Sequence, residues 1–210
     1  MPAKYLQHFT FKFVYIFAKN QQMKIRCIVP VCLCMLFVLR GAAQQKPTDV
    51  DKSPLDESYC PQNYPILKMN GSIKDEPVAR VIYSRPQKNG RTIFDGIVKF
   101  GEIWRLGANE ATEIEFFKPV KFGGQNVPKG RYTMFAICDK NKWTIILNTN
   151  NYVWGLAYNQ KKDLIRVDVP TQENIEDVEF LTIFFENGKP KNASLNIMWE
   201  TTKVSIPVSY

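Results

Sequence analysis

Between Arg85 and Thr112 the chain gathers side chains able to do chemistry: Arg85, Arg91, Asp95, Trp104, Arg105, Asn109, Glu110 and Thr112. Three guanidinium groups within 21 residues offer planar forks of donors that match a carboxylate, phosphate or sulfate. Trp104, and Trp154 further along, present indole faces suited to stacking on a sugar or covering an apolar ligand, with little entropy lost. Asp95 and Glu110 are the catalytic candidates, as the two carboxylates of a glycosidase, one the acid and the other the base or nucleophile. A second reading of the same residues is structural. Arg105 pairs with Glu110, while Asn109 and Thr112 satisfy backbone groups of a loop crossing the sheet ends. Both readings stand on sequence alone. Trp143 and Trp199 lie in alternating segments and are expected in the core.

The chain has 28 basic and 20 acidic residues, a formal charge of +8. Six of the basic residues and none of the acidic ones fall in residues 1–43, so the remainder carries 22 against 20. The basicity belongs to the leader, and the body supports no groove that tracks a phosphate backbone; nucleic acid is not an expected partner. Met23-Lys24-Ile25-Arg26 is a short basic start, Ile28 to Leu39 an apolar run, and Gly41-Ala42-Ala43 a set of small residues ahead of Gln44. That order reads as a secretory signal cleaved after Ala43, with residues 1–22 as an upstream extension and 44–64 as a linker or N-terminal arm. The apolar run is shorter than the ~20 residues a membrane span needs, so no transmembrane anchor is expected in the mature chain, and its expected location is periplasmic or secreted.

Cleavage would remove His8, the only histidine, together with Cys27, Cys32 and Cys34. A chain without imidazole cannot run Ser-His-Asp or Cys-His catalysis, or hold zinc or copper through histidine. Neither a metal nor any other cofactor is expected. Cys60 and Cys138 remain, either bridged or as two thiols. The acidic run Glu173 to Glu179 lacks the spacing and glycine of a calcium loop and reads as a solvated loop.

These side chains need a scaffold, and the sequence supplies strand chemistry. Val78–Ser84, Thr112–Phe116, Arg131–Ile137, Trp143–Leu147, Leu164–Val169, Val178–Phe185, Ala193–Glu200 and Lys203–Val208 are β-branched, aromatic or alternating. Gly123-Gly124, Pro128-Lys129-Gly130, Asn150-Asn151 and Asn187-Gly188 punctuate them. No long window keeps a helical period between caps. The expectation is an all-β domain over residues 65–210, a single antiparallel β-sandwich or partly open barrel of about eight to ten short strands. Phe180 and Phe184, with Leu195, Ile197, Trp199, Val204, Ile206 and Val208, are expected to face its core.

Tyr83-Ser84-Arg85-Pro86, then Trp104-Arg105-Leu106-Gly107-Ala108-Asn109-Glu110-Ala111-Thr112, then Gly130-Arg131-Tyr132-Thr133-Met134-Phe135 and Trp154-Gly155, resemble a family of secreted bacterial proteins, domain of unknown function 2911. The likeness covers roughly residues 65–208. It implies a signal peptide and a Gram-negative envelope setting, and it supplies no mechanism. Three classes of function follow as expectations. The first is an exported module binding a small molecule, with a glycan, a carboxylate-bearing ligand or an envelope component as partner, through Arg85, Arg91, Trp104, Arg105, Asn109, Glu110, Thr112 and Trp154. The second is a histidine-independent hydrolase using Glu110 or Asp95. The third is a structural or interaction scaffold.

Overall fold

Residues with alternating burial build nearly the whole molecule. The structure is a computed structural model that describes residue 49, residues 51–173 and residues 175–210; the expected leader lies outside the described residues. Its strands are β1 (Leu55–Cys60), β2 (Ala79–Ser84), β3 (Ile103–Trp104), β4 (Thr112–Phe116), β5 (Val120–Phe122), β6 (Gln125–Val127) and β7 (Gly130–Cys138). They continue as β8 (Lys142–Asn148), β9 (Asp163–Gln172), β10 (Val178–Asn187), β11 (Asn192–Glu200) and β12 (Thr202–Ser209), with a short α-helix, α1 (Tyr64–Met69), and a 3-10 turn at Gln160–Lys162.

The strands form one antiparallel sheet in the order β1-β2-β4-β7-β8-β9-β12-β11-β10, with β3 on β7 and the β5–β6 hairpin on β12. The sheet then returns to its start. Past Ser84 the chain of β2 leaves β1 and meets β10: Lys88 N–H donates to Glu179 O at 2.7 Å, Leu181 N–H donates to Pro86 O at 3.0 Å, and Gln87 bridges Phe180. The result is the partly open barrel of the two expected architectures. Its interior holds Val81, Ile114, Met134, Ile145, Leu195, Ile197 and Ile206, all fully buried. A smaller apolar cluster, Ala111, Phe135 and Ile146, lies under Val153 and Tyr158 of the segment between β8 and β9.

Four strands carry too little pattern to be seen in the sequence. β3, β5 and β6 have two or three residues each, and β1, Leu-Asp-Glu-Ser-Tyr-Cys, is polar at most positions. β1 lies within the segment expected to be an arm; it is paired with β2 over its whole length. One core expectation is reversed. Phe180 is 41% exposed and Phe184 only partly covered, while Leu181, Ile183 and Phe185 are the buried face. Both faces of this strand are apolar, so alternation alone could not choose; the register of Ile183 on Ile197 and Phe185 on Leu195 does. The expected core residues of β11 and β12 are buried, as are Trp143 and Trp199.

The register also decides the thiols. Cys60 lies opposite Ala79, Ala79 opposite Phe116, and Phe116 opposite Gly130, so Cys60 is level with the start of β7. Cys138 ends β7 eight residues on, roughly 26 Å along the strand, whereas bridged Cα atoms lie within about 7 Å. Both thiols are free and buried. Burial raises Cys60 from 9.0 to about 11, partly offset by a hydrogen bond with Tyr210 and the charge of Lys118. Burial pushes Cys138 up further and raises Tyr83 from 10.0 to about 12. The folded chain therefore keeps protons that the unfolded chain releases at lower pH. Their stabilising contribution is whole below about pH 9 and is lost as pH rises through 11, by at most about 1.4 kcal/mol per pH unit for each group. The urea midpoint should hold steady from neutral pH to pH 9 and fall steeply above it.

Candidate functional site

The side chains singled out in the sequence lie in three places: the barrel seam, the barrel mouth and an outer face. Arg85 is in the seam. Its Nε donates to Leu181 O at 3.3 Å, its Nη1 to Asp56 Oδ2 at 3.2 Å and its Nη2 to Thr182 Oγ1 at 3.2 Å, with the Phe180 ring 5.8 Å below. It joins β1, β2 and β10. Arg91 is tied to its own loop, Nε to Lys88 O at 2.9 Å and Nη2 to Gln87 O at 2.6 Å. The three arginines therefore do not converge on one ligand group. Carboxylates of the acidic run serve the same loop: Asp177 pairs with Lys88 at 2.6 Å, and Glu179 Oε1 accepts from Asn89 N–H at 2.8 Å.

The segment from Trp104 to Thr112 is a set of interlocks. Trp104, opposite Ala136, turns inward and stacks on Trp199 with ring centroids 5.9 Å apart, edge-on to Trp143 at 5.8 Å. Leu106 adopts a left-handed backbone, φ 55°, with its side chain fully buried. Thr112 Oγ1 donates to Leu106 O at 2.7 Å and its N–H to Arg105 O at 3.2 Å. The Ser84 hydroxyl donates to Ala108 O and accepts from Ala108 N–H at 2.6 Å. Gly107 is required there, because a Cβ would stand 2.6 Å from that hydroxyl. Asn109, at φ 61°, donates to Asp51 Oδ2 at 3.0 Å and accepts Gly155 N–H on its carbonyl at 3.0 Å. The Thr112 side chain thus holds backbone, whereas the Asn109 side chain meets the Asp51 carboxylate and not a backbone group. The expected Arg105–Glu110 ion pair is absent. Arg105 is instead pressed against Gly155, and its Nε is buried without a partner among the described residues.

Two pockets flank this segment. A mouth pocket of about 250 Å³ is bordered by Arg91, Ile97, Trp104, Arg105, Ser53 and Trp199. An outer pocket of about 350 Å³ is bordered by Leu55, Ile82, Glu110, Glu113, Tyr152 and Val153. Glu110 bridges Trp154 through the backbone, and Trp154 is 55% exposed. Asp95, the other carboxylate candidate, lies in a separate tight loop at φ 62°, its N–H donating to Val98 O at 2.9 Å.

Glu113 and Tyr152 are site residues that the sequence reading missed. Glu113 was visible as an outward position of β4, and Tyr152 follows the Asn150-Asn151 turn; nothing in the sequence joins them. Across the outer face, Tyr59, Arg80, Glu115 and Arg131 are in register on four adjacent strands, with Arg80–Glu115 at 3.0 Å and Arg131–Glu115 at 3.3 Å. Among the described residues no cluster of three His, Cys, Asp or Glu is placed to hold a metal ion, and no helix is long and apolar enough to cross a membrane.

The model of the family described as "Protein of unknown function (DUF2911)" matches residues 67–208, and the chain belongs to that family. No curated protein and no solved structure matches it.

The Trp154-Gly155 pair and the segment from Trp104 to Thr112 are locked by contact. A Cβ on Gly155 would stand 1.8 Å from Arg105 Cδ and 2.7 Å from Asn109 O. Gly155→Ala should cost about 1–3 kcal/mol, read as a lowered denaturant midpoint, because the backbone oxygen cannot move aside without breaking its own turn.

Proposed function

We propose that this family member is an exported binding module whose barrel mouth takes a small ligand bearing a carboxylate and a flat apolar face. The observation that carries this reading is electrostatic. Arg91 and Arg105 border one pocket, and neither makes an ion pair with a carboxylate among the described residues. Uncompensated guanidinium groups beside a concave apolar surface favour an anion, and Arg offers a carboxylate two parallel donors. The stacked Trp104 and Trp199, both nearly covered, border the same pocket and make its lining apolar. Export rests on the sequence, in the basic start at Met23, the apolar run and the small residues before Gln44. A hydrolase reading has less behind it, because the mouth pocket is bordered by no Asp or Glu and Glu110 belongs to the other pocket.

Benzoate and indole-3-acetate are suitable probes, read by quenching of tryptophan fluorescence. Binding should weaken about tenfold in Arg91→Met and in Arg105→Met, with the melting temperature near that of the parent, and should be lost when the carboxylate is replaced by an amide. Equal quenching by acid and amide, or binding that ignores both substitutions, would contradict the proposal.

A further inference from the structure

The outer pocket holds a feature that folding does not explain. Tyr152 is 78% exposed, yet its backbone is held by Glu113 and its ring by Arg131. Its backbone is left-handed at φ 60°, a conformation costly for an aromatic residue. Its N–H donates to Glu113 Oε1 at 3.3 Å. Its hydroxyl accepts from Arg131 Nη1 at 3.3 Å, and the same guanidinium lies 5.4 Å from the ring centroid. Strained backbone and two polar partners are spent on holding a ring in water. Two residues on, Trp154 is also exposed, while Val153 between them packs on the small outer cluster. Tyr152 thus borders the pocket together with Glu110 and Glu113, and the exposed Trp154 adjoins it through its backbone bridge to Glu110.

We infer that this outer pocket is a saccharide-binding site, separate from the mouth. The groups present narrow the ligand class. An anion would meet the Glu110 and Glu113 carboxylates. A cation would approach a Tyr152 ring that already carries the Arg131 guanidinium. A wholly apolar ligand would strip water from both carboxylates and return no donor. A neutral sugar satisfies each group at once: its C–H face covers an aromatic ring, and its hydroxyls donate to carboxylate oxygens. Glu110 is available for this, with no side-chain partner among the described residues, whereas Glu113 is oriented by Arg131 at 3.7 Å. The pocket's volume of about 350 Å³ falls within the range of small-molecule sites. Its apolar floor of Ile82, Ala111 and Val153 matches a ring face rather than an extended charged chain.

The test is titration of the intact protein with chitotetraose, cellotetraose and maltotetraose at up to millimolar concentration, followed by calorimetry and by tryptophan fluorescence. At least one should bind and perturb the emission. Trp154→Ala and Tyr152→Ala should each weaken it about tenfold or more, and Glu110→Gln several-fold. Both rings are exposed, so melting temperatures should stay close to the parent. If Tyr152→Ala loses stability, Trp154→Ala and Tyr152→Phe, which keeps the ring, carry the comparison. Arg91→Met should leave saccharide affinity unchanged, which separates this site from the mouth. Failure of all three sugars to bind, or affinity untouched by loss of either ring, would overturn the inference.

Discussion

A sheet nine strands around must either leave two bare edges or close, and here closure depends on β2 serving two neighbours in turn. Up to Ser84 it pairs with β1; from Pro86 onward its chain pairs with β10. Arg85 sits at that divergence. Below it β1 and β10 lie side by side with no backbone ladder between them, and side chains take the ladder's place. Phe185 N–H donates to Ser58 Oγ at 3.0 Å, and Gln62 N–H, just past β1, donates to Asn187 Oδ1 at 3.1 Å. The Arg85 guanidinium joins all three strands, reaching Leu181 O on β10 with Nε and Asp56 on β1 with Nη1. A lysine would supply the charge but not the planar set of donors that reaches both strands at once.

The two pockets inherit their geometry from the same point. Ser84, one residue before the divergence, binds both backbone polar groups of Ala108, donating to its carbonyl and accepting from its N–H. The segment from Trp104 to Thr112 is therefore hung from the end of β2, with Trp104 turned into the barrel and Glu110 outside it. Asn109 then accepts Gly155 N–H, which places Tyr152, Val153 and Trp154 over the outer face. One side chain ties the seam beside the backbone bonds that bring β2 to β10, and its neighbour in sequence positions both surfaces on which ligands are proposed to sit. This gives the motif residues a physical reason: they are the joints between a closed sheet and two loops, and the ligand-facing groups are those left over.

How much of this was legible in the sequence follows from the range of each interaction. Eight strands show in residues whose alternation is local. β3, at two residues, cannot alternate at all, and β1 carries Asp56 and Glu57 because it borders solvent. Phe180 and Phe184 misled because the opposite face of β10 is equally apolar, and only the strand opposite picks the buried one. Arg85 was legible as chemistry but not as a seam residue, because the carbonyl it binds is 96 positions away. Tyr152 was invisible for the converse reason. Its type is ordinary, and its meaning lies in a left-handed φ and in Arg131 and Glu113 on other strands.

The central claim is that Arg85 holds the seam and, through the end of β2, the loops around it. Amide hydrogen exchange on Arg85→Met compared with the parent tests this directly, since methionine keeps much of the stem and removes the donors. The account predicts that Leu181, Phe185 and Ala108 lose protection by about tenfold or more, while Phe135 and Ile145 on β7 and β8 keep theirs. Unchanged protection along β10, or a loss shared equally by every strand, would contradict it.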